Sequence, residues 1–280
     1  MSLLFNDPGE RKPSPPKKPR TKPADSQQEN SPCEKMKRTL ADEFEDQIED
    51  LYSIPQVRYP RNEIKFSPSQ LSQCDRAIFY ANSNAKADPP TPQVGWKNRV
   101  PRNGEGIHEC TQKDLKVMHT KLKDANLPCR FKMQEVEKVL RRTFDVDGTA
   151  VTFNGRCDGI LLDMETGQLV VWEFKTKDKL ANLTKIKDSS PYIHQCIAYA
   201  TVLDIYDVIL HVETLQKPQW SRDDAKDTKY FHVQVTREQC EDLLKRLAKI
   251  VRAVEAKIPP KKEPEKCMFC LYKNVCREDG

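Results

Sequence analysis

The sequence predicts an α/β fold, a mixed central β-sheet flanked by helices, preceded by a non-globular tail. Three observations predict it. Residues 155–177 read as a hairpin: two apolar runs around a short polar turn. Shorter alternating runs at 207–215 and 229–235 supply two more strands, set apart from the hairpin by a helical segment at 190–204. A long amphipathic pattern over 236–258, opened by Thr236 and closed by Pro259-Pro260, supplies a flanking helix.

The elements follow in chain order. Residues 1–32 hold seven of the 20 prolines, and within them RKPSPPKKPRTKP (11–23) carries six basic residues and no acidic one. That is the composition of a disordered, polyproline-like basic tail. Its charge suits nucleic acid, or a nuclear signal in a eukaryotic setting. A single domain is expected over 33–280. It opens with a helix on which Met36, Leu40, Phe44, Ile48 and Leu51 form one apolar face. In FSPSQLSQCDRAIFY (66–80), Ser67-Pro68-Ser69 reads as an N-cap region. Leu71, Ile78 and Phe79 then suggest a short helix bearing Cys74.

Residues 82–104, rich in Asn, Pro and Gly, predict a long loop, and loops of that length in compact domains are often functional. A helix is expected over 105–125, with Ile107, Leu115, Met118 and Leu122 facing the core and His108 near its start. Strands then take over from 130. DVDG (145–148) looks like the start of a calcium loop, but the closing glutamate and the other ligands are missing, so it reads as a turn. TAVTF (149–153) leads into the hairpin. Ser190 caps the helix at 190–204, and Leu243, Leu244, Leu247, Ile250, Val251 and Val254 form the apolar side of the last one. No internal repeat is present.

Composition limits the function classes. Hydrophobic residues make up 37% and charged residues 32%, which fits a folded body with a solvated part. A net charge of +5 permits a polyanionic partner without requiring one. No stretch resembles a secretory signal, and none approaches the roughly 18 apolar residues of a membrane span. An intracellular setting is therefore expected: cytoplasm or nucleoid, or the nucleus by way of the basic tail. There the ten cysteines are read as metal ligands or buried thiols rather than disulfides.

The hairpin carries three charges in an apolar context. If residues 164–167 form a four-residue loop, counting outward sets Asp158 directly opposite Glu173. Opposed residues share a face with β-carbons about 4.5–5.5 Å apart. Lys175 falls on the same face, while Trp172 and Phe174 point to the other. Two carboxylates this close repel unless a cation lies between them, and a hard divalent ion such as Mg2+ or Mn2+ suits oxygen ligands. Such an ion makes bound water easier to deprotonate and neutralises a phosphodiester, and the lysine would position that water. The same residues also fit a plain salt bridge at the sheet edge, and geometry alone leaves the two readings even.

NGRCDGI (154–160) followed by VVWEFKTK (170–177) resembles the PD-(D/E)XK nucleases, and the RecB-like branch in particular. Gly155, Asp158 and Ile160 match that branch's first motif, with Cys157 where the superfamily name has proline. Downstream, HQCIAYA supplies Gln195 and Tyr199, one turn apart on a helical face and matching the branch's Q-x-x-x-Y. Upstream, GEGIHE places His108 where the branch has a histidine that joins the metal shell. The resemblance implies a restriction-endonuclease-like core. In it Asp158, Glu173 and His108 would hold Mg2+ or Mn2+, and Asp158, Glu173, Lys175, Gln195 and Tyr199 would carry catalysis.

The C-terminal CMFCLYKNVC is C-x2-C-x5-C, formed by Cys267, Cys270 and Cys276, a metal-site spacing that lacks a fourth ligand. Iron–sulfur members of the branch, including CRISPR-adaptation and virus-encoded stand-alone exonucleases, use this triplet with a distant upstream cysteine. That resemblance nominates Cys74 and implies a [4Fe–4S] cluster joining 66–80 to 262–278. Zinc on the same four cysteines is the alternative. Cys33, Cys110, Cys129, Cys157, Cys196 and Cys240 read mostly as buried small hydrophobes.

Taken as a whole, the resemblance implies a metal-dependent DNA exonuclease acting on single strands or DNA ends in recombination, repair or replication. Lys177, Lys179, Lys185 and Lys187 are available to the DNA backbone. Two alternatives stay open: a nuclease-fold scaffold or DNA-binding subunit of a CRISPR-adaptation-like or recombination complex, and a zinc-stabilised nucleic-acid-binding protein. Protein partners of the recombination, replication or CRISPR type fit the same reading.

Overall fold

A computed structural model describes residues 39–54, 60–88, 95–177, 185–187, 190–215, 227–267 and 270–279. The chain divides into two compact units, Met1–Glu43 and Phe44–Gly280. In the first unit, Thr39 and Asp42 exchange hydrogen bonds of 2.7–3.2 Å at a helix start. The expected basic tail, the boundary at 32/33, Cys33 and Met36 lie outside the described residues.

Helix α1 spans Leu40–Ser53. Leu40, Phe44 and Leu51 are exposed, so the amphipathic face the sequence marks does not form core among the described residues. A single 3₁₀ turn, Pro68–Gln70, precedes α2, Asp75–Asn82. Cys74 caps α2 rather than lying within it: its sulfur accepts from the Ala77 N–H at 3.3 Å. Helix α3 runs over Gly95–Asp124, ten residues longer at its start than the sequence suggests. Gly95, Asn98, Pro101, Asn103 and Gly104, which argue for a loop, are absorbed into the helix, while Pro89, Pro90 and Pro92 lie outside the described residues. Gly104 has a tertiary role, since a β-carbon there would lie 2.7 Å from the Thr176 hydroxyl. Close packing on the sheet outweighs weak helix propensity.

Strands β1, Phe131–Val146, and β2, Thr149–Asp163, form a long antiparallel pair. Asp147 and Gly148 both have positive φ (51° and 74°), the backbone of a tight hairpin turn, as DVDG implies. Strand β3, Leu169–Lys177, pairs antiparallel with β2. Helix α4, Pro191–Leu203, then carries the chain across to β4, Asp207–Thr214, which lies parallel to β3. Strand β5, Thr228–Gln234, completes a five-stranded sheet in the order β1-β2-β3-β4-β5. Helix α5, Arg237–Ala256, begins with a capping box between Thr236 and Gln239, and α6, Lys273–Glu278, ends the fold. Ser190 caps α4 by accepting from the Tyr192 N–H.

The sheet is covered on both faces. On one, Val151, Phe153, Ile160 and Val171 pack with Ile78 and Phe79 of α2, Ala198 and Tyr199 of α4, and Leu247 and Ile250 of α5. On the other, Leu161, Val170, Trp172 and Phe174 pack with Ile107 and Leu115 of α3. The segment before α2 is stitched to β2: the Phe66 N–H donates to the Thr152 carbonyl and the Asn154 N–H to the Phe66 carbonyl, both at 2.9 Å. Pro68 then lies against Gly155, where a β-carbon would come within 2.7 Å of its ring. No described helix is long and apolar enough to cross a membrane.

Candidate metal centre and cysteine cavity

The β2–β3 ladder runs from Leu162↔Leu169 to Gly159↔Trp172, the register that sets Asp158 opposite Glu173. Beyond that pair each strand is held by its other neighbour, β2 by β1 and β3 by β4. Asp158 stands in this fork. Its Oδ2 accepts from the Phe174 N–H at 2.7 Å, taking a donor from the edge of β3. Its Oδ1 lies 3.6 Å from Nε2 of His108. The structure therefore corrects the shared face of the three charges. Glu173 and Lys175 turn toward α4, while the Asp158 carboxylate spans the fork toward α3. Alternation slips at this point, because Cys157 and Ile160 both enter the core on the α4 side.

Glu173 is only 1% exposed. It forms a close ion pair with Lys175 through Oε1, and its Oε2 is buried without a hydrogen-bond partner of ordinary geometry. Burial first, and then the Asp158 charge, push its carboxyl up to about 7; Lys175 and the nearby Tyr199 hydroxyl act the other way. For Lys175, burial alone would favour the neutral amine, but the Glu173 and Asp158 charges outweigh it and raise its pKa. Burial and the Glu173 charge raise the Tyr199 phenol, so it stays a neutral donor. Gln195 sits one turn before Tyr199 on α4, half-buried.

His108 lies in the middle of α3, not near its start. Its ring stacks on Phe174 at 5.3 Å with the planes 6° apart, which aims Nε2 at the fork. Gln112, one turn on, is buried and its amide nitrogen lies 3.1 Å from His108 Nε2. The same nitrogen donates to Glu137 Oε1 at 3.1 Å and to the Asp158 carbonyl at 3.3 Å. One ligand atom each from His108, Glu137 and Asp158 lies within 4.8 Å of the other two, and among the described residues this is the only such grouping. Glu137 is absent from the sequence reading. Its signal was available: in the observed β1–β2 register it falls across from Asp158, but β1 shows no motif to draw the count there.

Of the basic residues near the hairpin, Lys177 lies with its ammonium 5.4 Å from the centre of the Tyr192 ring, and Lys185 and Lys187 are exposed. Lys179 lies outside the described residues.

The four cysteines of the suggested cluster come together. Cys74, Cys267, Cys270 and Cys276 all line one cavity of about 330 Å³ between α2 and the C-terminal segment. Buried Arg76 lines it too, donating to the Tyr80 hydroxyl at 2.9 Å, and that hydroxyl donates to Asp279 at 2.7 Å. Burial pushes the Cys74 thiol up, and Cys270, Glu263 and Cys267 add to the rise against the Ala77 hydrogen bond. Of the remaining cysteines, Cys157, Cys196 and Cys240 are buried, Cys129 is half-buried and Cys110 is exposed.

The profile of the PD-(D/E)XK nuclease superfamily matches residues 79–277. No curated protein matches the chain. Among solved structures, that of SSO0001 aligns with a TM-score of 0.46 at 15% identity, over 86% of this chain and 98% of that one. The alkaline exonuclease LHK-Exo of Laribacter hongkongensis gives 0.46 at 10% identity, over 76% and 93%. A phage-related exonuclease from Haemophilus somnus gives 0.35 at 10% identity, over 69% and 94%.

Proposed function

The chain belongs to the PD-(D/E)XK nuclease superfamily, and from that premise we propose that it is a divalent-metal-dependent DNA exonuclease acting on single strands or DNA ends in recombination, repair or replication. The observation that carries the reading is the fork. His108 and Asp158 each bring a ligand atom within 4.8 Å of the other, and beside them the Glu173 carboxylate is buried against Lys175 and Tyr199, a gathering of donors that suits a cation.

The donor types fit such an ion: His108 Nε2 and Asp158 Oδ1 lie 3.6 Å apart. The buried carboxylate of Glu173, outside the grouping of His108, Glu137 and Asp158, is the third ligand the family resemblance implies. When bound, the ion supplies acidification of a water and neutralisation of phosphodiester charge. The chain's own residues do the rest. Phe174 and Gln112 fix Asp158 and His108 in place through the contacts above. Lys175 keeps its proton in this geometry, so it acts as a cation that orients a water or phosphate oxygen rather than as a base. Tyr199 holds Glu173 from the α4 side, and Gln195 faces the same region from one turn away. Exposed Lys185 and Lys187, with Lys177, suit the DNA backbone.

We further assign the cysteine cavity to a [4Fe–4S] cluster. The cavity of about 330 Å³ is lined by all four of these cysteines and by buried Arg76. Four thiolates are the usual ligand set for this cluster, and buried Arg76 offsets their charge.

The test is a time course on 5′- and 3′-labelled single- and double-stranded DNA with Mn2+. Cleavage by the wild type should vanish in Asp158→Ala, Glu173→Ala and Lys175→Ala. Undiminished turnover in the first two would sink the site; an inactive wild type would favour a scaffold role. Iron and sulfide analysis tests the cluster, and stoichiometric zinc in a colourless preparation overturns it.

A further inference from the structure

Glu137 has a backbone that needs explaining. It lies on β1 directly across from Asp158, between the pairs Val136↔Gly159 and Lys138↔Cys157. Its φ is 54°, a left-handed conformation uncommon outside glycine, and the register has already slipped between Met133 and Glu135. Irregularities of this kind re-aim side chains next to functional sites.

What the carboxylate now contacts does not account for that conformation. Oε2 pairs with Arg156 at 2.8 Å, and Arg156 is 64% exposed, so the pair is screened and contributes little. That is too small to offset a strained non-glycine backbone. Oε1 accepts from Gln112, whose amide also reaches His108 and the Asp158 carbonyl. Helix α3, β1 and β2 thus bring a nitrogen and two carboxylates within 4.8 Å. At the same level of the next strand, the Glu173 carboxylate is buried with Oε2 short of a hydrogen bond of ordinary geometry.

We propose that Glu137 is a further ligand of the divalent cation held by His108 and Asp158, and that Arg156 is its displaceable counterion in the metal-free protein. The proposal rests on the site reading above. It adds β1 to the strands that hold the ion, and it gives the left-handed backbone a purpose: to point the carboxylate along the sheet into the fork.

Mn2+ binding by the full chain without DNA, followed by calorimetry or by the spectrum of free Mn2+, tests it. Glu137→Gln should weaken binding at least about tenfold, the least expected for a residue at or next to a metal. Arg156→Met should tighten it by up to about fivefold, the equivalent of an exposed pair removed from competition. That gain should vanish in the double variant. Glu137→Gly, which suits the positive φ, should repeat the loss seen with glutamine and so separates ligation from folding. Wild-type affinity in both Glu137 variants, with binding lost in Asp158→Asn, overturns this inference and leaves the site standing. Unchanged affinity in Asp158→Asn overturns the site itself. A gain from Arg156→Met that persists without Glu137 refutes the counterion exchange.

Discussion

Asp158→Asn should make the metal-free protein more stable at pH 8 while abolishing cleavage. Glu173 is 1% exposed, and its carboxyl is pushed from 4.5 to about 7 by burial and then by the Asp158 charge. At about 1.4 kcal/mol per pH unit, that rise puts a ceiling near 3.5 kcal/mol on the cost of ionising Glu173 in the fold. Burial is the larger cause and survives the substitution, which leaves about 1 kcal/mol for Asp158. The asparagine carbonyl can still accept from the Phe174 N–H, so the fork keeps its hydrogen bond. The sign follows from a raised carboxyl pKa. The penalty is absent below about pH 4.5, where Glu173 is protonated folded or unfolded, and complete above about 7. In EDTA the variant should melt about 2–4 °C above wild type at pH 8 and level with it at pH 4.5. Mn2+ should reverse the order at pH 8, because a ligand at a hundred times its Kd adds about 2.7 kcal/mol to the protein that binds it. A variant no more stable than wild type in EDTA, or one that Mn2+ stabilises equally, would refute the view of the fork as a cation site.

Lys175→Met leaves the Glu173 carboxylate buried without its ion-pair partner, so cleavage should be lost and chemical denaturation at pH 8 should show a loss of about 3 kcal/mol. Asp163 is clamped at the end of β2 by two hydrogen bonds from Arg130, at 2.9 and 2.7 Å, which hold its carboxyl well below the usual range. That contribution is present above about pH 4 and fades as pH falls through the depressed value. Melting curves should therefore show Asp163→Asn less stable than wild type at pH 7, with the gap closing in strong acid. Gly155→Ala drives a β-carbon to 2.7 Å from the Pro68 ring, and denaturant titration should register a loss of about 1–3 kcal/mol. Cys270→Ser should remove most of the bound iron and the visible absorption; retention of both would exclude Cys270 as a ligand.

How far the sequence reveals this arrangement depends on where its rules are local. Turn chemistry at Asp147-Gly148 and the loop after Asp163 sets strand register, so the opposition of Asp158 and Glu173 follows from counting residues. Caps at Ser190 and Thr236 likewise fix α4 and α5, because each is satisfied within one helical turn. Counting fails where the sheet is irregular. The slip around Asp158 and the positive φ at Glu137 change where side chains point, and no local composition announces either. Helix α3 is missed over its first ten residues because its Gly and Pro argue for a loop, while at Gly104 the close approach to Thr176 of β3 is a tertiary reason that propensity does not contain. The amphipathic face of α1 shows the reverse error: a clear period need not find a partner among the described residues.

The cysteine cavity is tied to the strand that carries the fork, and this makes the proposed cluster more than a distant staple. Cys74 caps α2, whose preceding segment is bonded through Phe66 to both sides of Phe153 on β2. Pro68 then rests on Gly155, three residues before Asp158. On the opposite side of the cavity, Cys267, Cys270 and Cys276 come from the C-terminal segment, and the Glu263 carboxylate there accepts from the Asp75 N–H at 3.0 Å. Arg246 of α5 adds a pair with Asp75 at 2.7 Å. A cluster drawing these cysteines together closes a loop of nearly the whole domain, and the entropy of such a closure grows only slowly with its length. Its mechanical effect is local: it fixes α2, and through α2 the strand that presents Asp158. Loss of the cluster should therefore loosen the metal centre before it unfolds the sheet, since β2 is still held by β1 on one side and β3 on the other.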